Sequence, residues 1–518
     1  MGVTSLHDGR MWCIMSLTHY SQIIDVLLLY KKGFREIMKK ILFVASEGVP
    51  FIKTGGLADV VGSLPKYYDK RYFDARIILP KYMCMSNEMK SKMKYRTHFY
   101  MDFMGQNEYV GVMEAQYEGI TYYFIDNEKF FHGFKPYDGS VIEQLSKFIF
   151  FSKAALSILP VVDFRPDVIH CHDWQTGIIP VYLKERFAAG EFYRGIKSVM
   201  TIHNLKFQGI YDIKTIQNIS GLSGYYFTPD KLGFGKDANL LKGGITYADA
   251  ITTVSQTYAE EIKTPFYGEN LDGLLNARKN DLRGIVNGID YNEYNPETDS
   301  YIIRNYNAGN FRKEKIKNKR ELQRQLGLEE NDRKMLIGIV SRLTDQKGMD
   351  LVAYVMDELC RDEIQLVVLG TGEEQYENMF RHFDWKYHGK VSANIYYSEE
   401  LSHRIYASCD AFLMPSLFEP CGLSQLMALR YGTLPIVRET GGLKDTVEPY
   451  NEYESKGTGF SFSNYNAHEM LATIRYAERI YYDRKRDWNK IIDRAMATDY
   501  SWRVSALKYQ EMYDWLIG

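Results

Sequence analysis

Lys40-Ile41-Leu42-Phe43-Val44-Ala45, followed at residue 53 by Lys53-Thr54-Gly55-Gly56-Leu57-Ala58-Asp59, is the stretch that decides the fold. Residues 41–45 are a short apolar run of strand type. Leu57, Val60, Val61 and Leu64 then recur at helical spacing, so the glycine pair opens a helix. Paired glycines let the backbone approach a ligand closely, and free N–H groups at a helix start favour a phosphate. Lys53 adds a mobile positive charge. Taken alone, the loop fits an ordinary strand-to-helix turn equally well.

The pattern repeats in the C-terminal direction. Further strand candidates are residues 75–79, 121–125, 168–170, 198–202 and 250–254. A second set comprises 335–340, 365–369, 394–396, 411–414 and 433–437. Short strands alternating with helical segments predict parallel sheets of βαβ units. Two such sets predict two doubly wound α/β domains, with the Asn-, Tyr- and Asp-rich stretch 291–309 as linker. Open parallel sheets bind ligands at the carboxyl ends of their strands, so two facing sheets define a cleft. Near the end, Ser501 is placed to cap a helix whose Tyr509, Met512, Tyr513 and Leu516 share one apolar face.

In the other direction, the run from Ile23 to Tyr30 is too short for a membrane span and contains Asp25. It also lacks the flanks of a signal peptide. Residues 1–37 are therefore expected to lie outside the fold and to reflect an early assigned start codon. Hydrophobic residues make up 45% and charged residues 25% of the chain, the balance of a soluble globular protein. A formal net charge of -2 argues against nucleic acid or an anionic membrane as partner. Six scattered cysteines without metal-ligand spacing read as reduced thiols of a cytoplasmic protein.

The remaining chemistry falls at strand ends. His170-Cys171-His172-Asp173-Trp174 invites a metal reading, but neighbouring strand residues point to opposite faces and no zinc-like spacing occurs. A polar strand end facing the cleft fits better. Thr201-Ile202-His203-Asn204 offers the donors and acceptors that sugar hydroxyls need. In Ser341-Arg342-Leu343-Thr344-Asp345-Gln346-Lys347-Gly348, Arg342 and Lys347 are placed to converge on a diphosphate, although a solvated surface pair is the plainer alternative. Phe418-Glu419-Pro420-Cys421-Gly422-Leu423 sets a carboxylate before a helix start, and Thr440-Gly441-Gly442-Leu443 opens another helix with a second glycine pair. That pair is expected to face the first across the cleft. Cys421 lacks an adjacent His base and reads as a packing residue.

In this order, together with Asn287-Gly288-Ile289-Asp290, these motifs resemble the bacterial glycogen synthases and plant starch synthases, glycosyltransferase family five. The resemblance runs from Met38 to Gly518. It implies a GT-B fold: two Rossmann-like domains facing across a deep cleft, with a C-terminal helix crossing back to the first. The expected parts are an extension at 1–37, an acceptor-side domain at 38–292, a nucleotide-sugar domain at 293–498 and the returning helix at 499–518. The resemblance implies transfer of glucose from ADP-glucose to the non-reducing end of an α-1,4-glucan, with retention and with no cofactor or metal. It implies catalytic roles for Glu419, Arg342, Lys347, His203 and Asp173. Substrate contacts are implied for Lys53, Gly55, Gly56, Asp59, Asn204, Cys421, Gly422, Leu423, Gly441 and Gly442.

Growing negative charge on a departing diphosphate suits preorganised cations and helix starts, and no Asp-x-Asp metal motif stands out. A double displacement would need a carboxylate nucleophile, for which Glu419 is the one tempting candidate. A binding role for Glu419 fits the family pattern better, which favours front-face attack by the acceptor. Met427 stands where many related enzymes carry a second Glu, so the motif does not choose between ADP-glucose and UDP-glucose. A related transferase with another donor or acceptor stays open. So does a glucan-binding protein that has lost catalysis, although Lys53, His203, Arg342, Lys347 and Glu419 are all present.

Overall fold

The computed structural model describes residues 38–518, so the expectation about 1–37 lies outside the described residues. The first sheet is built around Lys39–Val44, buried along most of its length, with the parallel strands Phe73–Pro80 and Val168–His172 on either side. Parallel pairing continues through Lys197–Ile202, Ala250–Thr253 and Leu282–Gly284 on one side, and Ile120–Asp126 on the other. Beyond Ile120–Asp126 the sheet turns antiparallel through the hairpin Gln106–Tyr117 and Lys94–Phe103. The sequence reading lacked this hairpin. Lys94–Phe103 is largely solvated and weakly apolar, and Met104 (φ 53°) and Gly105 (φ 72°) make the left-handed two-residue turn that suits strand twist.

The second sheet is wholly parallel, in the order Val391–Asn394, Ile364–Leu369, Met335–Val340, Ala411–Met414, Leu434–Arg438, Phe460–Phe462. Counted along the chain this is the 3-2-1-4-5-6 order of the Rossmann fold. One strand differs from the sequence expectation of 394–396. The ladder pairs Val391 with Leu366 and Asn394 with Leu369, so the strand ends where Tyr396 and Tyr397 enter a loop. Each sheet has its own apolar core, and the segment after Asp290 buries Tyr294, Ile302 and Tyr306 in the second.

The terminal helix Trp502–Ile517 crosses back and buries Trp502, Tyr509, Met512 and Tyr513 in the first core. The Tyr513 hydroxyl sits 3.1 Å from that of Tyr68 and 2.7 Å from His170 Nδ1. Ser501 occupies the capping position, but its side chain makes no capping hydrogen bond, contrary to the sequence reading. Its backbone is engaged instead, bridged to Ile289, whose N–H donates to Tyr500 O at 2.9 Å. The two chain crossings between the domains therefore lie side by side. Among the described residues no helix is long and apolar enough to cross a membrane, and the five described cysteines are free thiols.

Candidate active site

In an open sheet the loops after the first and fourth strands diverge, leaving a crevice at the switch point. Here those loops carry Arg342 to Lys347, after Met335–Val340, and Glu419 to Leu423, after Ala411–Met414. The first sheet contributes the loops after Lys39–Val44 and Val168–His172, strands that pair directly. Together they enclose an interdomain cavity of about 600 Å³. Gly55, Gly56, Asp173, His203, Asn204, Arg342, Lys347, Glu419, Cys421, Gly422 and Leu423 all line it. Gly56 meets Leu423 across the domain boundary: a Cβ on the glycine would lie 3.5 Å from Leu423 Cδ1.

The cations differ in how they are held. Lys347 Nζ donates to Glu419 Oε2 at 2.5 Å, and the Ser416 hydroxyl donates to the same oxygen at 3.2 Å. Arg342 is exposed and has no ion-pair partner among the described residues. Lys53 does not line the cavity and pairs with Asp59 at 2.8 Å. Burial acts to lower the pKa of Lys53, but Asp59, Glu293 and Glu399 outweigh it and hold the ammonium above its ordinary value.

Gly441 and Gly442 also lie off the cavity wall, so the second glycine pair does not face the first across open space. They pack beneath the Glu419 loop, where a Cβ added to Gly441 (φ 44°) would lie only 2.0 Å from Glu419 O. The helix start they form is met by a carboxylate of the first domain. Glu261 Oε1 accepts from the Gly441 N–H at 3.1 Å and from the Thr440 hydroxyl at 3.0 Å.

Asp173 sits at a positive φ of 54°, and its carboxylate accepts the His203 N–H at 2.7 Å. Burial pushes its pKa up to about 7, against the hydrogen bonds from the His203 and Asn204 backbone. His203 belongs to a stack of imidazoles, with centroids 4.4 Å apart for His170–His172 and 5.3 Å for His172–His203. Burial lowers the pKa of His170 and of His203 to about 3 and that of His172 well below its ordinary value. The stack is neutral near pH 7, and its internal contact, His172 Nδ1 to His203 Nε2 at 3.0 Å, fixes the ring that reaches the cleft. The rings contact one another in series, His170 to His172 to His203, and His172 Nε2 is buried without a hydrogen-bond partner among the described residues.

The sequence reading missed several wall residues. Glu47 is buried and accepts from the Thr54 hydroxyl at 2.8 Å and from Tyr137 at 3.0 Å, so it braces the glycine loop from behind. Its place directly after the first strand was the available signal. Gln175 also borders the cavity, as does Asn287, which the sequence placed in a family motif but not in the site; Gln175 Oε1 and Asn287 Oδ1 are buried and without a hydrogen-bond partner among the described residues. Nothing in their local sequence distinguishes Gln175 from a surface amide.

Two Rossmann-like domains facing across a deep polar cleft, tied together by a returning helix, define a glycosyltransferase of the GT-B class. Residues 40–277 match the starch synthase catalytic domain family, and 318–492 match glycosyl transferases group 1. The chain is 70% identical over 477 residues to a glycogen synthase of Lachnospira eligens, covering 92% of this chain and 100% of that one. A Clostridium botulinum glycogen synthase is 49% identical over 92% of this chain and 98% of its own. Among solved structures, the catalytic domain of starch synthase IV from Arabidopsis thaliana, bound to ADP and acarbose, superposes with a TM-score of 0.86. It is 32% identical and covers 93% of this chain and 99% of that one. The chain belongs to the glycogen synthase and starch synthase family.

Proposed function

We propose that the protein elongates α-1,4-glucan by transferring glucose from ADP-glucose to the non-reducing end with retained configuration. The observation that carries this reading is the opposition of two phosphate-binding devices across one cavity. Arg342 and Lys347 stand at the switch point of the second sheet, and the Gly55–Gly56 helix start faces them from the first. As the bond to the sugar breaks, negative charge gathers on the diphosphate. Lys347, held in place by Glu419, and Arg342, unpaired among the described residues, place positive charge where that negative charge gathers.

The sugar half of the cavity is polar, with Asp173 and Glu419 among its lining. Neutral His203, Asn204, Gln175 and Asn287 offer donors and acceptors for hydroxyls. Glu419 is tied to Lys347 and Ser416, which orients it and weakens it as a nucleophile. It therefore positions glucose while the acceptor attacks on the face that the diphosphate leaves. Cys421, Gly422 and Leu423 shape the same wall. Lys53 and Asp59 act at the edge of the acceptor side, and Gly441 with Gly442 supports the Glu419 loop from below.

The test is incorporation of labelled glucose into glycogen, with ADP-glucose and UDP-glucose compared at equal concentration. Efficient transfer from ADP-glucose is expected. Transfer from UDP-glucose alone, or from neither, would overturn the reading.

A further inference from the structure

Outside the cleft, one cluster has the composition and wiring of a metal site. Glu399 and His403 lie four residues apart on the helix Glu399–Ser408 and so share a face. Glu293, on the segment joining the two domains, approaches that face. One ring nitrogen of His403 and one carboxylate oxygen from each glutamate lie within 4.8 Å of one another.

The histidine is arranged as metal-bound histidines are. Its ring is almost wholly buried, stacked on Tyr294 with centroids 4.8 Å apart. Nδ1 lies 2.8 Å from Asp299 Oδ2, and Asp299 also accepts from the Tyr431 hydroxyl at 2.5 Å. A carboxylate can only accept, so Nδ1 carries the proton and the lone pair resides on Nε2. Nε2 is buried and has no partner among the described residues. A carboxylate fixing the far nitrogen of a histidine is the usual outer support of a metal ligand. His172 Nε2 in the imidazole stack is likewise buried without a partner among the described residues, so what sets His403 apart is the pair of carboxylates beside it.

We propose that Glu293, Glu399 and His403 bind a first-row divalent transition ion, with Zn²⁺ as the best fit. One imidazole with two carboxylates favours that class over the hard ions Mg²⁺ and Ca²⁺, which prefer all-oxygen sites. Ligand bonds of about 2.0–2.2 Å require the three atoms to draw slightly closer, which solvent-accessible glutamates can do. The ion clamps the interdomain segment to the second domain. It also neutralises the two carboxylates that act on Lys53, leaving that ammonium to Asp59. No step of sugar transfer runs through it, so the expectation of metal-free transfer is untouched.

The test is calorimetric titration of Zn²⁺ into the full chain at pH 7.5, beside a Glu293→Gln/Glu399→Gln double variant. One ion per chain is expected for the parent, with affinity falling in the variant by more than the roughly 10–100-fold that loss of a ligand's supporting partner costs. Zn²⁺ should raise the thermal midpoint of the parent but not of the variant, and Mg²⁺ should raise neither. Binding that is absent in the parent, or equal in number and affinity in the variant, overturns the proposal. Both glutamates are solvent-accessible, so their amides are compatible with the fold.

Discussion

Lys347 Nζ and Glu419 Oε2 are 2.5 Å apart, joining the loops that follow the first and fourth strands of the second sheet. The pair holds both groups at the cavity wall, where the proposed function puts the ammonium beside the diphosphate. Arg342, with no ion-pair partner among the described residues, is the complementary element, able to swing onto a phosphate without breaking a salt bridge. Replacing either cation by Ala should lower kcat by about 10²-fold or more, the scale of one lost electrostatic stabiliser. Lys347→Ala should be the more damaging to folding, because it strands a buried carboxylate. Steady-state kinetics and thermal melts of both variants check this, and near-normal turnover in Arg342→Ala would remove it from the diphosphate site.

Glu419→Gln retains the size of the side chain and an acceptor oxygen but loses the charge that holds Lys347. Transfer should fall by at least about tenfold while the fold survives. No glucosyl adduct should form on Glu419 in the parent when donor is supplied without acceptor. Mass spectrometry of the peptide containing residue 419 reads the outcome, and a trapped adduct would establish double displacement.

Gly441→Ala tests support from beneath the loop. The new methyl would meet Glu419 O at 2.0 Å, from a backbone that also has positive φ. The loop must shift to relieve the contact, so kcat should drop together with a stability loss of about 1–3 kcal/mol. An unchanged kcat in a destabilised protein would restrict Gly441 to packing.

The imidazole stack supplies a pH signature. His170 and His203, with folded-state pKa values of about 3, should stay neutral down to about pH 4 in heteronuclear NMR spectra of the ring nitrogens. Their pKa values are depressed on folding. The stability they contribute is therefore present above the unfolded value near 6.5 and is lost as pH falls toward 3. Asp173 has the opposite sign, since its pKa is raised to about 7: its contribution is full below about 4 and fades as pH climbs through 7. Protonation of His203 near pH 6.5 would show that the ring is open to water.

Tyr513→Phe probes the returning helix. It removes the hydroxyl shared with Tyr68 and His170 in a fully buried setting, at a cost of about 1–3 kcal/mol. Chemical denaturation measures the change, and a neutral substitution would mean that the helix is held by apolar packing alone.

The linear sequence determined a good deal. Apolar runs of five or six residues ending in glycine, histidine or arginine motifs define parallel strands and the ends at which ligands bind, because a strand buried on both faces has no other composition available. Residues 41–45 with the Gly55–Gly56 turn, and residues 335–340 with Arg342 and Lys347, could be read in this way. Polar and surface-lying elements could not. The hairpin Lys94–Phe103 and Gln106–Tyr117 carries too little apolar periodicity, and Ser501 looks like a cap whether or not its hydroxyl bonds. Which motifs share the cavity was a matter for the tertiary structure alone. Lys53 and Gly441 carry the same kind of signal as Gly55 and Arg342, yet they stand off the wall. Glu47 and Gln175 reach it with no signal beyond their position after a strand or in a turn, and Asn287 belongs to a motif to which the sequence attached no site role. The cluster of Glu293, Glu399 and His403 arises from chain segments about a hundred residues apart. Such convergence depends on how distant segments pack in three dimensions, and local periodicity contains no record of that.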